Sequence, residues 1–166
     1  MSRHIRFSAL VAVVLLTVAM SATSAAAANH ARPFLGITIG QDSAGAPLCP
    51  GASLQYLSSG TGQVAHLGRV TFEVSHCTWF DPVSMSGTFG PGTITFTAAN
   101  GDRLILADSG KFAFNADASL SIIDLHWSAI GGTGRFESAG GAGGGAGFSD
   151  LIGGTTTMAF WGSISY

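Results

Sequence analysis

Beyond about Pro33, run after run of the chain sets apolar residues at every second position, and nothing repeats at every third or fourth. That is the period of half-buried strands, not of helices. Val64 to His76 sets Val70, Phe72 and Val74 on one face against Arg69, Thr71, Glu73 and Ser75 on the other. Thr93 to Thr97 alternates again, followed by Asn100-Gly101, Arg103 to Ala107, a turn signal at Asp108-Ser109-Gly110, and Lys111 to Phe114. A further turn at Asn115-Ala116-Asp117 leads to Ser119 to Trp127, and Thr155 to Tyr166 closes the series. Short strands with turn residues about every ten positions predict an all-β fold, an antiparallel barrel of about eight strands, with a β-sandwich as the alternative. The Gly-, Pro- and Ser-rich stretch between Gly40 and Gly62 predicts a long loop.

Asn-Gly between two alternating runs is a strong hairpin signal, because both central residues of a type I′ turn need positive φ. A two-residue turn there pairs Ala98 with Arg103, Phe96 with Ile105 and Ile94 with Ala107. It puts Leu104 and Leu106 on the opposite face with Thr95 and Thr97. Both faces then carry apolar groups, which suits a packed interior and an outer wall that meets something else, such as a second copy of the chain.

The run Gly131 to Gly147 holds glycine at nine of its 17 positions, with Phe136, Ala139 and Ala142 interleaved. Glycine at that density allows bends and close approaches that a Cβ forbids, so a kinked part of the sheet is expected there. Gly131-Gly132-Thr133-Gly134-Arg135-Phe136, with Ala139 and Gly141 after it, resembles the G-G-T-G-x-F-x-x-A-x-G signature of plant dirigent proteins. It is also similar to the G-G-S-G-x-F tract of allene oxide cyclase. The order Asn100-Gly101-Asp102, a strand pair, then this motif resembles small exported bacterial proteins of unassigned function in the same barrel class. The resemblance implies an eight-stranded allene oxide cyclase/dirigent-like barrel and, with the sparse charge, a homo-oligomer, most simply a trimer. Gly140 stands where dirigent proteins commonly carry arginine, and no catalytic residue is carried over from either family.

The first 28 residues change the address of the protein. Arg3, His4 and Arg6 precede an apolar run of about 14 residues, short of the ~20 a spanning helix needs, and Ser21 to Ala28 is a small-residue run with A-x-A sites. This is the layout of a cleaved secretory signal peptide, residues 1–28, followed by one domain over residues 29–166. The expected location is exported, secreted or periplasmic, with no stable membrane span after cleavage. In that oxidising setting Cys49 and Cys77 are expected to form a disulfide. Past residue 28 the cations are Arg32, Arg69, Arg103, Lys111 and Arg135, against nine carboxylates in the chain. Five scattered cations do not build a nucleic-acid surface.

The chemistry-bearing residues are few. Asp124 and His126 lie two apart on one strand and could transfer a proton. His66 and His76 share a strand face only at a separation of roughly 33 Å, too far to hold one metal. The sequence has no nucleophile elbow, no H-E-x-x-H and no P-loop, so no metal or cofactor is implied and catalysis is left open. Three readings follow. One is a barrel binding a small apolar or aromatic ligand, lined by Val70, Phe72, Val74, Phe96 and Ile105, with His66, Arg103, Asp124 and His126 as its polar contacts. The second is a structural or interaction protein of the cell exterior with a filled barrel. The third is a cyclase- or dirigent-like enzyme.

Overall fold

The computed structural model describes residues 30–166; the signal peptide expected over residues 1–28 lies outside the described residues. Eight antiparallel strands follow one another around a closed barrel. They are β1 (Arg32–Gly45), β2 (Leu54–Val64), β3 (Gly68–Asp81), β4 (Ser86–Ala98), β5 (Arg103–Phe114), β6 (Leu120–Gly132), β7 (Gly140–Asp150) and β8 (Thr155–Ser165). A single turn of 3-10 helix, Gly134–Phe136, joins β6 to β7. The ladder from Arg32↔Ile164 to Gln41↔Thr155 closes the sheet. Closure removes every free strand edge, and the all-β barrel expected from the alternation is the fold found.

Several local readings differ from what the residues suggested, each for a physical reason. The stretch from Gly40 to Gly62 is not a loop: β1 runs to Gly45 and β2 starts at Leu54, leaving only 46–53 between them. Its inward positions include Gly40, Asp42, Tyr56, Ser58 and Gly60, so the usual apolar alternation is missing although the strands are there. Asp108-Ser109-Gly110 is no turn either. It lies within β5, and Asp108 points inward at 4% exposure.

The Asn100-Gly101 hairpin has a three-residue loop rather than two. Ala98 N–H donates to Asp102 O, Gly101 N–H donates to Ala98 O, and Gly101 takes φ 88°. This is the type I turn plus bulge that asks for positive φ at its third residue alone. The extra residue shifts the register, so Phe96 pairs with Leu104 and Ile94 with Leu106. Both leucines are completely buried inside the barrel. Outward apolar surface lies elsewhere: Leu35 pairs with Trp161 and Ile37 with Ala159 across β1 and β8, and Leu35, Ile37, Ile39 and Trp161 are exposed.

The glycine run becomes β7, and every inward position from Gly141 to Gly147 is glycine. The bare inner face of this strand accommodates large neighbours. A Cβ on Gly143 would stand 2.5 Å from Trp127 Cζ2, in van der Waals conflict with the indole of β6. Trp127 thereby lies across β7, where its Nε1–H donates to Gly144 O at 3.0 Å, satisfying the one polar atom of a buried indole. Phe34 packs against it edge-on with ring centres 4.9 Å apart, and Phe96 meets Phe160 at 5.5 Å. Leu67 and Phe136, both buried, complete this end of the barrel.

On the outer wall, Cys49 and Cys77 form the expected disulfide, with Cα atoms 6.1 Å apart. It ties the 46–53 connection to β3 where that strand shifts register between His76 and Thr78.

The register can be tested by two single substitutions. Leu106→Ala should cost roughly 2–5 kcal/mol as a core cavity, while Ile105→Ala, on the outward face, should cost less than about 1 kcal/mol. Urea unfolding of both variants checks this, and a reversed order would restore the two-residue turn.

Candidate ligand cavity and its buried polar pair

The barrel is filled at one end and open at the other. Beyond a floor formed by Phe72, Ile94 and Phe160, a cavity of about 430 Å³ extends toward the end carrying the 46–53, 82–85, 115–119 and 151–154 connections. That volume falls in the lower part of the range of roughly 300–1,000 Å³ typical of small-molecule sites. Phe80, Phe112 and Phe114 form an aromatic wall, with Phe80 and Phe114 ring centres 5.1 Å apart. Exposed Ser53 and Leu151 also line the cavity, so it reaches the surface there. Its wall is almost wholly apolar; two sets of inward polar groups are bonded among themselves, while the buried Ser58 Oγ and Thr78 Oγ1 have no hydrogen-bond partner among the described residues.

The first set of such bonds surrounds Asp42. Its Oδ2 accepts from Ser149 Oγ and Thr156 Oγ1, each at 2.6 Å, and its Oδ1 accepts the Tyr56 hydroxyl at 2.7 Å. Four strands thus converge on one carboxylate. Burial, and then the adjacent carboxylate, push the Tyr56 phenol well above its ordinary value, against the opposing hydrogen bond from Thr156. Tyr56 is therefore a neutral donor fixed on Asp42.

The second set is a buried pair. His76 Nδ1–H donates to Asp108 Oδ2 at 2.8 Å; the carboxylate only accepts, so the hydrogen belongs to the ring. The Asp108 side chain is completely buried and that of His76 nearly so. The imidazole is stacked between the Tyr56 ring at 4.9 Å and the Phe89 ring at 4.5 Å. Two flat faces and one hydrogen bond fix its orientation. Among the described residues, His76 Nε2 has no hydrogen-bond partner, and His76 borders the cavity.

The sheet makes room for this pair. His76, Gly92 and Asp108 form one row across β3, β4 and β5. A Cβ at position 92 would collide with His76 Cβ and stand 2.6 Å from Asp108 Oδ1. Only glycine lets histidine and aspartate meet across the intervening strand. β4 shifts register between Phe89 and Gly92 at the same level, a bulge that re-aims side chains beside a site.

Of the residues singled out from the sequence, Phe72 and Val74 line the cavity. Val70 and Phe96 are buried in the filled core instead. Arg103 is exposed and Ile105 faces outward through the register shift. His66 sits at the filled end, in the turn between β2 and β3 at φ 69°, with its Nε2 2.8 Å from Pro33 O. Asp124 and His126 are on the outer wall, because β6 turns Ser121, Ile123, Leu125 and Trp127 inward; Asp124 there meets Lys111 at 3.4 Å. Among the described residues no cluster of three potential metal ligands occurs. The residues missed were Asp42, Tyr56 and Asp108, together with the pairing role of His76. Extending the inward series Val70, Phe72, Val74 by one step reaches His76, and extending Leu104, Leu106 by one step reaches Asp108.

Comparison of the chain with models of known protein families, with curated proteins and with solved structures found no match. The cavity itself therefore carries the functional reading.

The Tyr56 phenol gives a pH test. Its proton is held in the folded state and lost near pH 10 in the unfolded chain, so the associated stability is complete below about pH 10 and is lost as the pH rises above it. Wild-type stability should fall from pH 9 to about pH 11, and Tyr56→Phe should remove part of that fall while costing about 1 kcal/mol at pH 7. Denaturant unfolding across that interval checks it; identical slopes for both proteins would mean that Tyr56 is not held neutral by the fold.

Proposed function

We propose that this is an exported barrel protein that holds a small apolar or aromatic molecule in the open half of its barrel. The observation that carries the reading is the apolar cavity of about 430 Å³ closed below by Phe72, Ile94 and Phe160. A barrel whose only task is structural gains stability from filling its interior, and the other half of this one is filled with interlocking rings. The Cys49–Cys77 disulfide supports an oxidising, exported location.

Membership of the allene oxide cyclase/dirigent-like barrels belongs to the same proposal. It is supported by the eight-stranded closed barrel and by the place of the Gly131–Phe136 motif, whose Phe136 is buried at the filled end. No residue is assigned a catalytic role. Self-association is proposed through the charge-free outer patch of Leu35, Ile37, Ile39 and Trp161, in place of Leu104 and Leu106.

None of the three tryptophans lines the cavity, so binding is best read with an extrinsic probe. A neutral fluorophore such as N-phenyl-1-naphthylamine should bind saturably, and Ile123→Trp, which fills the cavity from β6, should abolish the signal while the protein stays folded by far-UV circular dichroism. Fluorescence undiminished in Ile123→Trp would place the probe on the outer patch and reject the cavity as the binding site.

A further inference from the structure

Two features of the interior restrict what the cavity can accept. The first is charge. The inward ionisable groups of β1 and β5 are the carboxylates of Asp42 and Asp108, whereas Arg32, Arg69, Arg103, Lys111 and Arg135 are all exposed. An anionic ligand would leave water for an apolar chamber that no lysine or arginine lines and behind whose wall lie the carboxylates of Asp42 and Asp108, which is unfavourable by both desolvation and repulsion. Fatty acids, phosphate esters and sulfates are disfavoured for that reason.

The second feature is the hydrogen-bonding state of His76. Asp108 accepts the hydrogen bond from Nδ1–H, so in the corresponding neutral tautomer Nε2 carries a lone pair and no hydrogen. Stacking between Tyr56 and Phe89 prevents the ring from turning over, since rotation would need both aromatic neighbours to move. Tyr56 offers no competing proton, because its own is held by Asp42. No serine, threonine or cysteine hydroxyl or thiol hydrogen-bonds to Nε2 among the described residues, so its hydrogen-bond capacity is free for whatever enters the cavity.

We propose that His76 is the specificity-determining residue of the cavity, and that its ligand is a neutral, largely hydrocarbon molecule carrying a hydroxyl group that donates a hydrogen bond to His76 Nε2. The inference rests on the ligand-binding reading and adds the polarity of the ligand to it. Asp108 is a positioning residue, acting through the imidazole by fixing which nitrogen carries hydrogen. Gly92 is what allows the two to meet.

The test uses three compounds with one rigid skeleton: 2-adamantanol, which donates and accepts; 2-adamantanone, which only accepts; and adamantane, which does neither. Each is titrated as a competitor of N-phenyl-1-naphthylamine on the wild-type protein and on the double variant His76→Phe/Asp108→Leu. Replacing both partners of a buried pair by apolar groups avoids leaving an unpaired buried charge; circular dichroism checks that the variant is folded. The alcohol should bind the wild type about tenfold tighter than the ketone, the discrimination expected when one compound makes a hydrogen bond the other cannot. In the double variant that preference should vanish while adamantane still competes. Equal binding of alcohol and ketone to the wild type, with adamantane also bound, would overturn the role of His76 and leave the apolar cavity standing. A preference that persists in the double variant would likewise overturn it. Failure of all three to compete would remove the cavity reading and this inference together.

Discussion

Closing a sheet on itself leaves no edge to protect and a single interior, and each inward side chain must either fill that interior or leave space in it. The β1–β8 ladder imposes this condition on the whole chain. Eight strands with inward residues at every second position supply most of the core, which Leu67 and Phe136 complete from the connections. At one end, Phe34, Phe96, Trp127 and Phe160 interlock, and β7 offers bare glycine positions that let the indole lie flat across it. At the other end several inward residues of β1 and β2 are small or polar, the rings of Phe80, Phe112 and Phe114 stay at the wall, and a cavity is left. A packed core and an open cavity thus occupy opposite halves of one barrel.

That division explains how a domain with buried carboxylates can be stable. Asp42 is satisfied by three hydroxyl donors from β2, β7 and β8, so its desolvation is offset by charge-assisted hydrogen bonds. Asp108 has only His76, and its Oδ1 has no partner. An under-satisfied buried carboxylate is destabilising. A single-partner carboxylate beside an oriented imidazole at a cavity wall is an arrangement that stability alone does not call for, and two strand bulges are grouped around it.

How much of this could be read from the residues follows from the same division. The barrel was legible because simple alternation runs from the filled core to the cavity wall along β3: Val70, Phe72 and Val74 point inward as their pattern indicates. The glycine run was legible as a place of close approach within the sheet, but not which side chain approaches it, because Trp127 is not adjacent in sequence. The site was hidden for the reason that makes it a site. Asp42, Tyr56 and Ser58 on β1 and β2 fall in the stretch that reads as loop, and Asp108 belongs to a tripeptide that reads as a turn. Asp124 and His126 read as an acid beside an imidazole, but β6 carries apolar residues on both faces, and its pattern does not reveal which face is inside. The pair that does meet, His76 with Asp108, is separated by 32 residues and joined only through the row across Gly92.

The account stands on the cavity being dry and open beneath the aromatic wall. A crystal of the protein pressurised with xenon measures this directly, since an apolar cavity that excludes water takes up such an atom. Xenon density above Phe72, Ile94 and Phe160, within reach of Phe112 and Ile123, is the predicted result. Side chains collapsed into that space, or a chain of ordered waters occupying it with no xenon, would contradict it.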